Sequence, residues 1–113
     1  MDHILFVCSA NKDRSKTAED HFSEKYPGFY FLSAGTNQKI CEQEGTSFLT
    51  DDMLDWASRV YVMEEKHRQW IKTHFKHNYG QKIVVLNIPD VYQYFQKELI
   101  VLLDQKLAGK FIP

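Results

Sequence analysis

Apolar residues in this chain fall into short, nearly unbroken runs, separated by stretches where they recur at helical spacing. Ile4 to Val7, Val60 to Met63 and Ile83 to Leu86 are such runs, and they predict parallel strands covered on both faces. A fourth run, Phe29 to Leu32, is more aromatic and follows the Pro27-Gly28 turn. The intervening stretches predict helices. The first carries Ala18, Phe22 and Tyr26 on one face; a second runs from about Glu64 to Phe75, with Ile71 and Phe75 together. The last runs from about Phe95 to Leu107, with Phe95, Leu99, Leu103 and Leu107 in register and Gly109 placed to end it. A short helix is expected over Asp51 to Ala57, with Thr50 as N-cap and Asp51 and Asp52 in its first turn. Asn37 to Leu49 is the least patterned segment and is expected to be a mobile loop with a partial helical turn.

Strands alternating with helices predict a three-layer α/β/α domain, here one domain over residues 1–113. Sites in such sheets form outside the carboxyl ends of the strands, near a switch in strand order. The segment from Cys8 leaves the carboxyl end of the first strand, and Asn87-Ile88-Pro89-Asp90 leaves that of the last. Right-handed crossovers would bring both to the same edge.

Composition narrows the function classes. A hydrophobic fraction of 43% and an aromatic fraction of 14% fit a folded globular chain, and a net charge of −1 offers no basic field for nucleic acid or an anionic membrane. No apolar run approaches the ~20 residues that span a bilayer. The chain starts Met1-Asp2-His3 and enters a strand at once, so no signal peptide is expected. With only two cysteines, free thiols in a reducing compartment are expected, by default the cytoplasm. Oligomeric state is not legible.

The chemistry concentrates in Cys8-Ser9-Ala10-Asn11-Lys12-Asp13-Arg14-Ser15. A thiol, the backbone N–H groups of Ser9 to Asp13, and a guanidinium are what a loop needs to hold a phosphate dianion and attack its phosphorus. Placed between a strand and a helix N-terminus, the loop sits where anions bind. Cys8 is the candidate nucleophile: the attacking species is the thiolate, which the helix terminus, Arg14 and convergent amides would stabilise, with Ser15 donating a further hydrogen bond. Arg14 is the candidate clamp, its planar fork matching two phosphoryl oxygens. Because the loop lacks glycine, Asn11 is the residue expected to take the positive φ that turns the amides inward. Asp90 is the candidate general acid, since a tyrosyl leaving group with a pKa of about 10 must be protonated as it departs. Tyr92 and Tyr94 offer rings as a substrate wall. The triplet Lys66, His67 and Arg68 reads as a solvated helix face, Trp56 and Trp70 as core, and no histidine spacing indicates a metal.

These residues resemble the low-molecular-weight protein tyrosine phosphatase family, in particular a shorter predicted-phosphatase branch. The first strand with Cys8, Asn11, Arg14 and Ser15 resembles the family's phosphate loop, and Ser33-Ala34-Gly35-Thr36 its Ser-Ala-Gly-Thr segment. Val60-Tyr61-Val62-Met63 with a following acidic residue resembles its third strand, and Ile88-Pro89-Asp90 with Tyr92 its acid loop. The resemblance implies a four-stranded parallel sheet and a phosphomonoesterase without metal or other cofactor. It implies Cys8 as nucleophile, Arg14 as phosphate binder, Asn11 and Ser15 as supports, and Asp90 as acid then base. The substrate would be a phosphorylated protein or a small aryl phosphate. The chain departs from the family at five places: Asp13 replaces a second cysteine, Ala10 a glycine and Lys16 a proline; the acid loop reads Asp90-Val91-Tyr92-Gln93, with Tyr94 one step later, where the family has Asp-Pro-Tyr-Tyr; and the segment from Thr36 to the third strand is shortened. Two alternatives follow, a phosphate- or phosphopeptide-binding module without useful turnover, and an arsenate-reductase-like thiol enzyme in which Cys41, the other cysteine, would be the partner thiol. A protective Cys8–Cys41 disulfide is a further expectation to examine.

Overall fold

The structure, a computed structural model, describes residues 2–112. Its strands are β1 (His3–Cys8), β2 (Tyr30–Gly35), β3 (Arg59–Val62) and β4 (Ile83–Val85). Its helices are α1 (Arg14–Lys25), α2 (Gln38–Glu44), α3 (Asp51–Trp56), α4 (Glu65–His74) and α5 (Lys97–Lys106). The strands form one sheet in the order β2-β1-β3-β4, every pair parallel. The switch in order falls between β1 and β3, so the carboxyl end of β1 opens at the crevice that favours ligands.

The twofold alternation of strand side chains divides the core. Ile4, Phe6 and Cys8 face α1 and α5, where Ala18, Phe22, Leu99 and Leu103 meet them. Leu5 and Val7 face the other way, against Leu54 of α3 and Ile71 of α4. Both faces of β1 are covered, which is why its sequence is an uninterrupted apolar run. Phe111 closes the first face from the end of the chain, its ring 5.1 Å from Phe22 and 5.3 Å from Phe31.

Three expectations change. The segment from Asn37 contains a real helix, α2, capped by the Asn37 side chain accepting from Ile40 N at 3.1 Å and ended by Gly45 at φ 69°. The chain then returns to the sheet edge, where Leu49 N donates to Gly35 O at 2.9 Å and Gly35 N to Ser47 O at 2.9 Å. Strand β2 runs three residues further than its apolar pattern, through Ser33, Ala34 and Gly35. Phe95 stands outside α5 at φ 59°; Gln96 is the N-cap, and Phe95 N donates to Thr17 Oγ1 at 2.8 Å. The Thr50 cap of α3 is as expected, its side chain accepting from Met53 N at 3.2 Å.

Candidate active site

Between β1 and α1 the chain makes a tight loop from Cys8 to Arg14. Its turning point is Asn11, at φ 54°, the left-handed residue that the absence of glycine required. The Asn11 side chain binds in three directions: Nδ2 donates to Ser15 Oγ at 2.9 Å and Ser33 Oγ at 2.8 Å, and Oδ1 accepts from Ser47 N at 3.1 Å.

The loop's carbonyls are held from outside by the segment after β2. Thr36 N donates to Cys8 O and Asn37 N to Ser9 O, both at 3.0 Å. Thr46 Oγ1 donates to Ala10 O at 2.6 Å, and the Cys41 thiol lies 3.6 Å from the same oxygen. With these carbonyls engaged outward, the intervening amides are left for the inside of the turn. Gly35 makes the fit possible. A Cβ there would lie 2.5 Å from Ser9 O, 2.7 Å from Cys41 Sγ and 3.0 Å from Asn11 N.

Cys8 is 2% exposed, and its Sγ is 3.0 Å from Ser15 Oγ. Arg14 is 1% exposed at the first residue of α1, where a cation opposes the helix dipole. Glu64 offsets that conflict: Arg14 Nη1 donates to Glu64 Oε2 at 2.5 Å and to Ile88 O at 2.9 Å. Burial pushes the Glu64 carboxyl up, but Arg14, with smaller contributions from Lys66 and His67, outweighs it and holds the group below the ordinary glutamate range. Asp90 approaches from the other side, Oδ1 lying 3.6 Å from Arg14 Nε, with its side chain 63% exposed. Cys8, Ser15, Arg14 and Asp90 thus gather at the carboxyl edge of the sheet.

The other loop residues are peripheral. Lys12 is exposed and pairs with Glu44 at 3.6 Å. Asp13 is half-buried as N-cap of α1; its side chain makes no capping bond, while its carbonyl accepts from Thr17 N at 2.9 Å. Tyr92 packs half-buried against the core, and Tyr94, 48% exposed, donates its hydroxyl to Asp20 at 2.5 Å. Cys41 is buried against the carbonyl side of the loop, with the Ser9-Ala10 backbone alongside it.

Two participants escaped the sequence reading. His67 is not part of a solvated face: it is 1% exposed, and its Nδ1 accepts from Glu64 N at 3.0 Å. That bond leaves the proton on Nε2, which donates to Ser9 Oγ at 2.9 Å. Burial and then the Arg14 charge drive its pKa from 6.5 to about 4, so the ring is neutral. Glu64 is the second. The Glu64-x-x-His67 spacing at a helix start was the available signal, because an N3 side chain reaches back to the N-cap amide.

No protein-family model and no curated protein sequence matches the chain. Solved structures do. The arginine phosphatase YwlE from Geobacillus stearothermophilus is 26% identical with a TM-score of 0.73, over 97% of this chain and 92% of that one. A mutant of YwlE from Bacillus subtilis is 25% identical with a TM-score of 0.70, over 97% and 98%. The low-molecular-weight protein tyrosine phosphatase from T. tengcongensis, at 23% identity and a TM-score of 0.73 over 97% and 99%, shares the fold. On its sheet and its Cys8–Ser15 loop, and along nearly its whole length, the chain is similar to solved phosphatases and has the fold of the low-molecular-weight protein tyrosine phosphatases.

Proposed function

We propose that the chain hydrolyses phosphotyrosine or another aryl phosphate through a phospho-cysteine intermediate, with Cys8, Arg14 and Asp90 as catalytic residues. The observation that carries this reading is the convergence of a buried thiol, bonded to Ser15 at 3.0 Å, with a buried guanidinium whose Nε lies 3.6 Å from Asp90. The Cys8 thiolate attacks phosphorus, a P–S bond forms and the P–O bond to the leaving group breaks. Asp90 gives its proton to the departing oxygen. The resulting carboxylate takes a proton from water, which attacks phosphorus, breaks the P–S bond and releases inorganic phosphate and the thiolate. The amides of Ser9 to Asp13 and the Arg14 fork stabilise the charge on the equatorial oxygens, and Glu64 keeps that fork oriented. Ser15 donates to the sulfur; Asn11 holds the turn.

Tyr92 and Tyr94 border the acid-loop side. Phosphoarginine, the chemistry named for the YwlE neighbour from Geobacillus stearothermophilus, differs in its leaving group, a guanidine in place of a phenol. The partner is then a phosphorylated protein or small aryl phosphate, and the two free thiols suit a reducing cytoplasm. Among the described residues, no helix is long and apolar enough to cross a membrane. The half-buried Asp13 carboxylate favours a second reading, an oxyanion-binding module without turnover.

The test is p-nitrophenyl phosphate hydrolysis without added metal, alongside phosphoarginine. Turnover should be blocked by vanadate and lost in Cys8→Ser, and Asp90→Asn should slow substrates with the most basic leaving groups most. Equal rates in wild type and Cys8→Ser end the proposal; phosphate binding with no turnover supports the second reading.

A further inference from the structure

A cleft of about 700 Å³ starts at Ser9, the residue after Cys8, and runs between the 36–38 segment and α4. Phe48 and Trp70 form one wall, their rings edge to face with centroids 5.9 Å apart. Trp70 is stacked on His74 at 4.1 Å, and buried Leu49 lies beneath. Trp70 is only half-buried, so part of its ring faces the open cleft.

The charge of the lining is one-sided. Its ionisable residues are Lys66, His67 and His74, and no carboxylate lines it among the described residues. His67 is spent on Ser9 and Glu64 N, and Lys66 is 63% exposed at the rim, 3.8 Å from Glu64. The space is larger and more aromatic than a phosphate requires, and it is continuous with the loop through Ser9. On the opposite side of the loop, Tyr94, 48% exposed, is tied to Asp20 and Tyr92 packs half-buried against the core, so aromatic surface borders the loop on that side as well.

The geometry points to a second subsite here, one that takes the acidic peptide segment flanking the phosphorylated residue: an apolar side chain against Phe48 and Trp70, and a carboxylate on Lys66. This rests on the phosphatase reading and makes the substrate an acidic phosphopeptide rather than a free aryl phosphate. Lys66 supplies an exposed charge, worth a few-fold in affinity, and Trp70 supplies the apolar contact, worth more.

The test compares p-nitrophenyl phosphate with two phosphotyrosine peptides of equal length, one flanked by glutamates and one by lysines. For wild type, kcat/KM should favour the acidic peptide. In Lys66→Glu that preference should shrink or reverse by about threefold to tenfold in the peptide-to-p-nitrophenyl-phosphate ratio, and Lys66→Arg should restore it. Trp70→Ala should lower the same ratio for both peptides by about tenfold. Equal use of both peptides by wild type, or a ratio unmoved in Lys66→Glu, overturns the subsite. So does sedimentation showing a dimer that Trp70→Ala dissociates. If no variant turns over any substrate, the phosphatase reading fails by itself. Anisotropy of the fluorescein-labelled peptides then decides the subsite: charge-dependent affinity lost in Lys66→Glu supports it, and charge-blind affinity refutes it.

Discussion

A histidine that the fold holds neutral makes this protein's stability depend on pH in a calculable way. The His67 pKa falls from 6.5 to about 4 on folding, with burial the larger cause and the Arg14 cation the next. Between those values the unfolded chain binds the proton and the native state does not, so stability rises with pH across the window. His67 therefore contributes its full stabilisation above pH 6.5, and this is lost progressively as pH falls toward 4. At 1.36 kcal/mol per unit, the shift is worth about 3 kcal/mol, a large part of a typical domain's stability. The perturbation is His67→Gln, which keeps a side-chain acceptor for Glu64 N and a donor toward Ser9 but does not titrate. Urea unfolding followed by the fluorescence of Trp56 and Trp70 at pH 7, 6, 5 and 4.5 gives the comparison. Wild type should lose about 2 to 3 kcal/mol more than the variant over that range. Parallel pH profiles for the two proteins would refute the reasoning, because every other titrating group is common to both.

Gly35→Ala should displace the phosphate loop, since the added methyl meets Ser9 O and Asn11 N. Vanadate inhibition should weaken at least tenfold, at a stability cost of about 1 to 3 kcal/mol. Tyr79→Phe removes a hydroxyl that donates to Asp51 and, at 3.1 Å, to Asp55. It should cost about 1 to 2 kcal/mol in urea unfolding while leaving p-nitrophenyl phosphate kinetics within twofold. Phe111→Ala opens the aromatic cluster with Phe22, Phe31 and Tyr61 and should cost about 3 to 5 kcal/mol, read as a fall in the denaturation midpoint.

The sheet and the loop were legible because each is encoded locally. Apolar runs mark strands buried on both faces, and a loop with no glycine leaves few residues besides Asn11 able to turn it. What escaped depends on neighbours distant in sequence. Helix α2 buries only Cys41, and one buried position generates no period, so its caps Asn37 and Gly45 were the sole signal. His67 lies between two cations and looked solvated; only the approach of Ser9, 58 positions away, makes it a buried partner of the loop. Phe95 matched the helical spacing of Leu99 and Leu103, but its backbone amide is committed to Thr17 on α1. The demand on Gly35 is set by two segments folding over it from opposite ends of the chain's first half.

The seat of Cys41 beneath Ala10 bears on how any inactivation chemistry should be interpreted. Alkylating Cys41 would wedge a bulky group under the turn from Cys8 to Arg14 and, on the proposed mechanism, abolish turnover without touching Cys8. Loss of activity with iodoacetamide is thus no proof that Cys8 has reacted. Peptide mapping of the adduct, or protection by bound phosphate in a Cys41→Ala background, distinguishes the proposed nucleophile from the sulfur beneath the turn.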